Sequence, residues 1–93
     1  MMKFRITIDS SEKKQVELIL NDPKFNTEVN AWECYVNWSS KEFQDFPAFG
    51  VTSFQAIENA MNGSRGILTN CYRSSRIYQN GRPFIVEGAD RNY

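Results

Sequence analysis

The sequence predicts an α+β fold, in which an antiparallel β-sheet of about four strands carries one main α-helix, about residues 53–71, on one face. Several short segments alternate apolar with polar residues, as strands do when one face is buried. One later segment follows the helical period instead. With 93 residues, the chain is long enough for one core, so we expect a single domain, 1–93.

The first two strands are predicted from clean alternation on either side of a polar, turn-prone segment. Residues 3–9 form the first strand, and the two strands should pair as a hairpin. Pro23 ends the second strand, because proline lacks the amide that a ladder needs, and the loop is expected to extend to about Glu28. The apolar positions are Phe4, Ile6 and Ile8 in the first strand and Val16, Leu18 and Leu20 in the second.

The third strand has the strongest pattern, with Trp32, Cys34, Val36 and Trp38 on one face. Two tryptophans there predict a large buried area under the helix. Residues 47–51 then predict a short fourth strand, and the proline at its start favours an edge position.

The helix has a well-marked start, because Thr52 and Gln55 have the spacing of a capping box. A row of small residues, Ala56, Ala60 and Gly63, is expected at the edge of its buried face, where it would let the helix lie close to the sheet. The remaining residues predicted to face the core are Phe54, Ile57, Met61, Ile67, Leu68 and Cys71.

After Cys71 the pattern weakens. Residues 72–80 have neither period and are compatible with a longer helix or with a loop. Asn80 and Gly81 together indicate a turn, and residues 82–86 predict a last short strand.

Two motifs carry a resemblance to a known family. Trp32 and Cys34 give W-x-C, and Gly50 to Ala56 read G-V-T-S-F-Q-A. This order resembles a bacterial family of small domains of unknown function with the pattern W-x-C, then G-V-[DT]-S-[FLV]-Q-A. The resemblance spans roughly residues 4 to 71. It implies a fold, and it supplies no activity and no catalytic residues.

A second similarity lies at the start of the helix. Gly50, Thr52, Ala56 and Ala60 follow the Gly-x-Thr-x-x-x-Ala-x-x-x-Ala pattern that opens a helix in HicB-type antitoxin domains. That resemblance implies binding to a partner toxin. The chain departs from the pattern at residues 45–48, where Asp-Phe-Pro-Ala stands in place of the acidic Asp-Leu-Pro-Gly loop.

The chain offers little catalytic chemistry. It has no histidine, which removes the commonest general base and the commonest metal ligand. Cys34 and Cys71 lie on predicted apolar faces, so we expect two buried free thiols rather than a metal or redox site. The glycines form no phosphate-binding pattern, so no cofactor is implied. We therefore expect a protein that is not an enzyme.

Charge and hydropathy limit the classes of partner that the sequence favours. The formal net charge is zero, which gives no general electrostatic case for nucleic acid. No segment has the length and apolarity of a signal peptide or a membrane span, so the expected location is the cytoplasm, without membrane contact. Acidic residues dominate 28–58, whereas 59–86 carry arginines and no acid.

Two functional hypotheses remain from the sequence. The first is a non-enzymatic protein-interaction module, either a homodimer formed through the open sheet face or an antitoxin- or immunity-like partner. The second is binding of RNA or an acidic ligand through the arginines and tyrosines of residues 72–82. The alternative role of these tyrosines is ordinary packing against the rest of the protein. The candidate contact residues are Ile19, Glu33 and Tyr35 on the sheet and Tyr72, Arg73, Arg76, Tyr78 and Arg82 in the segment.

Overall fold

The computed structural model describes residues 1–9, 13–72, 76–79 and 82–85, and it confirms the α+β prediction. In these residues one helix packs on an antiparallel sheet of seven strands rather than about four. The elements in chain order are β1 (Met2–Asp9), β2 (Lys14–Leu20), β3 (Lys24–Asn26), β4 (Ala31–Trp38), β5 (Phe46–Gly50), α1 (Ser53–Cys71), β6 (Arg76–Gln79) and β7 (Arg82–Ile85).

The first hairpin follows the predicted alternation. β1 and β2 pair antiparallel, with Ile6 opposite Val16 and Phe4 opposite Leu18. The side chains of Ile6 and Leu18 are fully buried, and the residues between them along each strand are more exposed. This hairpin contributes to the core because every second side chain of its strands points to the helix side.

β4 lies inside the sheet and has neighbours along both edges. β5 pairs with one edge, and β2 and β3 share the other. The loop predicted up to about Glu28 is therefore wrong in part, because the chain re-enters the sheet at β3. Leu20 lies opposite Val36 and Lys24 lies opposite Glu33, so one extra residue is accommodated between β2 and β3.

The turn between β3 and β4 has identifiable chemistry. Asn26 Oδ1 accepts hydrogen bonds from the amides of Glu28 (2.9 Å) and Val29 (3.4 Å), as in an Asx turn. Asn30 has φ of 54°, a left-handed conformation that asparagine tolerates better than most residues. These contacts stabilise the turn that reverses the chain from β3 into β4.

β5 is an edge strand, as its proline predicted, and part of its free edge cannot pair with another strand. Pro47 has no amide to offer, and Asn59 Nδ2 donates to the carbonyl of Phe49 at 2.6 Å. Because Pro47 and Phe49 are two residues apart, their backbone groups point to the same side of the strand. Two of the positions that another strand would use along this edge, the Pro47 amide and the Phe49 carbonyl, are therefore missing or occupied.

The start of α1 confirms the capping box. Thr52 Oγ1 accepts from the Gln55 amide at 3.0 Å, and Gln55 Oε1 accepts from the Val51 amide at 2.7 Å. The glutamine thus reaches one residue further back than in the usual box.

The buried stripe of α1 consists mainly of small side chains and packs on β4 and β5. Ala56, Ala60, Ser64 and Leu68 are fully buried, and the Ser64 hydroxyl donates to the carbonyl of Ala60 at 2.7 Å. The small residues therefore form the centre of the buried face rather than its edge. Their spacing of four residues keeps them in one row and lets the helix approach the sheet closely.

The prediction that Phe54 and Cys71 face the core is wrong, because both side chains are exposed. Each lies in a terminal turn of α1, where no further helical turn covers it on one side. Trp32 is also only half-buried, whereas Trp38 at the other end of β4 is 7% exposed and packs on Phe43 with ring centroids 4.9 Å apart.

Part of the segment 72–80, which the sequence left as a longer helix or a loop, forms strand β6. It pairs antiparallel with β1, placing Ile77 opposite Ile8 in the core. β7 pairs with β6 and confirms the strand predicted from residue 82. Val86 and the turn predicted at Asn80 and Gly81 lie outside the described residues.

Candidate interaction surfaces

The open face of the sheet, opposite α1, carries three of the predicted contact residues. Ile19 and Glu33 are half-buried there, and Tyr35 is 39% exposed. They lie on one face because Ile19 is opposite Asn37 in the ladder, and Tyr35 and Glu33 precede Asn37 by two and four residues. The structure thus brings together the sheet residues of the homodimer hypothesis.

A chain of side-chain amides runs across this face. Asn21 Nδ2 donates to the Tyr35 carbonyl (2.9 Å) and to Asn37 Oδ1 (2.6 Å). Asn37 Nδ2 then donates to Asp45 Oδ2 at 3.1 Å, and the other oxygen of Asp45 accepts from the Trp38 amide. These bonds hold the bulge after β2 against β4 and stabilise a polar face that water can cover.

The same face has a shallow polar depression of about 360 Å³. Its lining combines two carboxylates, one ammonium group, two amides and a phenol, so no single charge dominates it. Glu33 Oε1 is held by Asn26 Nδ2 at 2.9 Å. The lining residues are Asn21, Asp22, Lys24, Glu33, Tyr35 and Asn37.

Tyr72 lies on the helix side of the sheet, in a cluster with Lys14 and Glu42. Lys14 Nζ is 3.2 Å from Glu42 Oε2 and 3.2 Å from the Tyr72 hydroxyl, which donates to Glu42 Oε1. The hydroxyl of Tyr72 and the ammonium of Lys14 lower the pKa of Glu42. The contacts to Tyr72 and to Glu42 raise the pKa of Lys14. The cluster joins the end of α1 to the loop before β5.

This cluster predicts a pH dependence of stability. Because the pKa of Glu42 is lower in the folded protein, its contribution is present above the ordinary pKa of a glutamate, about 4.3, and is lost as the pH falls through the lowered value. Glu42→Gln should therefore lower the melting temperature at pH 7, and this deficit should shrink at pH 3. Glu58→Gln, outside the cluster, is the control. A deficit of equal size at both pH values would contradict the electrostatic explanation.

The other tyrosine of the segment, Tyr78, lies on the opposite side of the sheet from Tyr72. It pairs with Thr7, whose neighbours Ile6 and Ile8 point to the core, so Tyr78 lies on the open face. The two tyrosines therefore form no common stacking surface. Arg73 lies outside the described residues, and the backbones of Arg76 and Arg82 lie in β6 and β7.

The two cysteines have different surroundings, contrary to the prediction that both are buried. Both are free thiols, but Cys71 is exposed at the end of α1. Cys34 is buried, its Sγ lies 3.4 Å from the Asn21 carbonyl, and burial raises its pKa. We expect a maleimide to label Cys71 in the native protein and Cys34 only in denaturant, as checked by peptide mass spectrometry. Rapid native labelling of Cys34 would contradict this placement.

A surface that the sequence reasoning missed surrounds the junction of β4, β5 and α1. Five large apolar side chains are exposed there, and we call them the apolar end surface. Their exposed fractions are Phe25 48%, Val29 53%, Phe49 40%, Val51 81% and Phe54 71%.

The ladder and the ring contacts place these residues at one end of the molecule. Trp32 lies opposite Gly50 and in edge-to-face contact with Phe25, with ring centroids 5.8 Å apart. Val51 follows Gly50 directly in the chain, and Phe54 lies in the first turn of α1. Phe49 lies beside Glu33 on the open side. An available signal was Val29, an apolar residue inside a polar turn segment.

Comparison of the chain with protein-family models, with curated proteins and with solved structures found no match. Among the described residues, no group of three or more metal-binding side chains lies close enough together to hold an ion. Within the same residues, no helix combines the length and the apolarity needed to cross a membrane.

Proposed function

We propose that this protein is a non-enzymatic protein-interaction module that binds a partner protein through the apolar end surface. The observation that carries the proposal is the exposure of five large apolar side chains around one end of the sheet. Phe49 points to the open side, so we count only the other four; if a whole side chain of this size offers about 150–200 Å², these four expose roughly 400 Å² together. Patches of that size on a monomer are often functional.

Further support comes from the chemistry of the chain and from its resemblance to antitoxin domains. The chain has no histidine, and its Lys14–Glu42–Tyr72 cluster is satisfied internally, with each member bonded to the other two. The helix-opening pattern from Gly50 to Ala60 is similar to that of HicB-type antitoxins, which bind a partner. We therefore propose an antitoxin- or immunity-like role in the bacterial cytoplasm.

A quantitative pull-down tests the proposal. Tagged protein is incubated with an extract of the cells that produce it, and retained proteins are compared between the parent chain and the Val51→Ser/Phe54→Ser double variant. Both side chains are strongly exposed, so their replacement should leave the fold intact. A partner should be retained by the parent and lost by the double variant.

Tyr35→Ser on the open face is the matched control. It removes an exposed aromatic side chain outside the apolar end surface, and it should retain the partner. Loss of the partner in Tyr35→Ser with retention in the double variant would move the interface to the open face. Identical retained sets for all three proteins would contradict the proposed function.

A further inference from the structure

We infer that the partner segment bound by the apolar end surface is amphipathic and basic, with lysine or arginine residues flanking its apolar anchors. This inference rests on the proposed function and adds the chemistry of the partner. The charges beside the surface and the restricted edge of β5 support it separately.

The charged groups beside the apolar end surface on the helix side are acidic. Glu28 immediately precedes Val29 in the turn, and Glu58 lies one helical turn after Phe54 on the same side of α1. Both residues are exposed, and neither has an ion pair within the described residues. A basic partner would supply the missing charges.

The nearby cation does not compensate these two acids. Lys24 lies opposite Glu33 in the ladder, and Glu33 belongs to the open face. Because side chains alternate along a strand, Lys24 points to that face while Phe25 points to the helix side. The apolar end surface therefore presents carboxylates to a partner that approaches from the helix side.

The start of α1 has part of its capacity to bind an anion occupied by its own capping bonds. The Gln55 amide is bonded to Thr52 Oγ1, the Val51 amide to Gln55 Oε1, and the Ala56 amide to the Thr52 carbonyl. The first two bonds occupy amides that a bound anion would otherwise use, and the third is the first regular bond inside the helix. An anion would therefore find fewer open amides here than at an uncapped helix start.

The geometry also disfavours two other occupants. A second copy docked on the same surface would bring Glu28 and Glu58 of both chains together, and like charges oppose such a contact. An added β-strand would find Pro47 and the occupied Phe49 carbonyl along the free edge of β5. The remaining mode is recognition through side chains, as when an amphipathic helix lies on an apolar surface.

Two synthetic peptides test the inference. They have equal length and the same leucine positions at helical spacing, with lysine at the polar positions of one and glutamate at those of the other. Binding is followed by the fluorescence of Trp32, the remaining tryptophan in a Trp38→Phe background. We expect the lysine peptide to bind about tenfold more tightly, and this preference should weaken with salt.

Charge variants distinguish a specific effect of Glu28 and Glu58 from an effect of the protein's overall net charge. Glu28→Gln/Glu58→Gln should reduce the preference to near unity, whereas Asp9→Asn/Glu17→Gln, with the same change in net charge, should preserve it. Equal affinity for both peptides, or a preference unaffected by the first pair, would overturn the inference. So would a dimer in sedimentation experiments that Val51→Ser/Phe54→Ser dissociates.

The apolar double variant distinguishes failure of the inference from failure of the proposed function. If Val51→Ser/Phe54→Ser leaves binding of the lysine peptide unchanged, the apolar end surface is not the binding surface and both proposals fail. If the double variant weakens both peptides alike and neither is preferred, only the basic character of the partner is wrong.

Discussion

Replacement of Trp38 by alanine should lower the free energy of unfolding by about 3–5 kcal/mol, a large part of what a domain of this size has. Trp38 is the tryptophan that the core encloses, and it packs on Phe43 beneath the end of α1. Removing the indole leaves a cavity between β4, the loop before β5 and the helix. Urea unfolding followed by circular dichroism measures the effect.

Two further substitutions show what Trp38 contributes. Within the described residues, its Nε1 is buried without a hydrogen-bond partner, a cost of about 1–3 kcal/mol for a buried donor. Trp38→Phe removes that donor together with some packing and should cost far less than Trp38→Ala. Trp32→Ala, at a half-buried position, should also cost less. Equal losses for Trp32→Ala and Trp38→Ala would contradict this account of the core.

Gly50→Ala should destabilise the protein by about 1–3 kcal/mol because of a clash with the backbone of α1. A methyl group at Gly50 would lie 2.5 Å from the Ala56 nitrogen and 2.8 Å from the Gln55 carbonyl carbon. Neither atom can move without opening the first turn of the helix and its capping box. Thermal unfolding of Gly50→Ala measures the loss.

Gly66→Ala is the matched control, since the added methyl group meets nothing within 4 Å beyond the backbone of its own helix and its chain neighbours. It should stabilise the protein by about 1 kcal/mol, because alanine is a better helix former than glycine. Gly63→Ala falls between the two, since its methyl would meet the ring of Phe46 at 2.9 Å. A stabilising Gly50→Ala would show that the loop before α1 can relax.

Features set by neighbouring residues could be predicted from the sequence. The bounds of α1 and its capping box depend on Thr52 and Gln55, which are close in the chain. The alternation in β1, β2 and β4 follows from the burial of one sheet face. Such local signals also gave the right edge position for β5.

Features set by distant partners could not be predicted. β3 has three residues and forms because β4 offers a free stretch of edge beside it. The exposure of Phe54 and Cys71 depends on where the sheet lies under the helix, which periodicity alone does not give.

The candidate site was predicted only in part, for the same reason. The open face emerged from strand alternation, so Ile19, Glu33 and Tyr35 were placed together correctly. The apolar end surface combines residues from two turns, two strands and the first turn of α1. Those segments meet through the pairing of Trp32 with Gly50, and this register has no local signal in the sequence.

The pairing of β1 with β6 also bears on the order of folding. β1 to β5 form from local hairpins, but Ile8 must find Ile77 after β2 to β5 and α1 have all intervened. Closing so long a loop costs more entropy than closing a hairpin, so β6 should join the sheet after the rate-limiting step. Ile77→Val should accordingly accelerate unfolding while leaving the refolding rate nearly unchanged, in stopped-flow measurements across a urea series. During synthesis on the ribosome, the outer edge of β1 would thus stay unpaired until residues 76–79 have emerged.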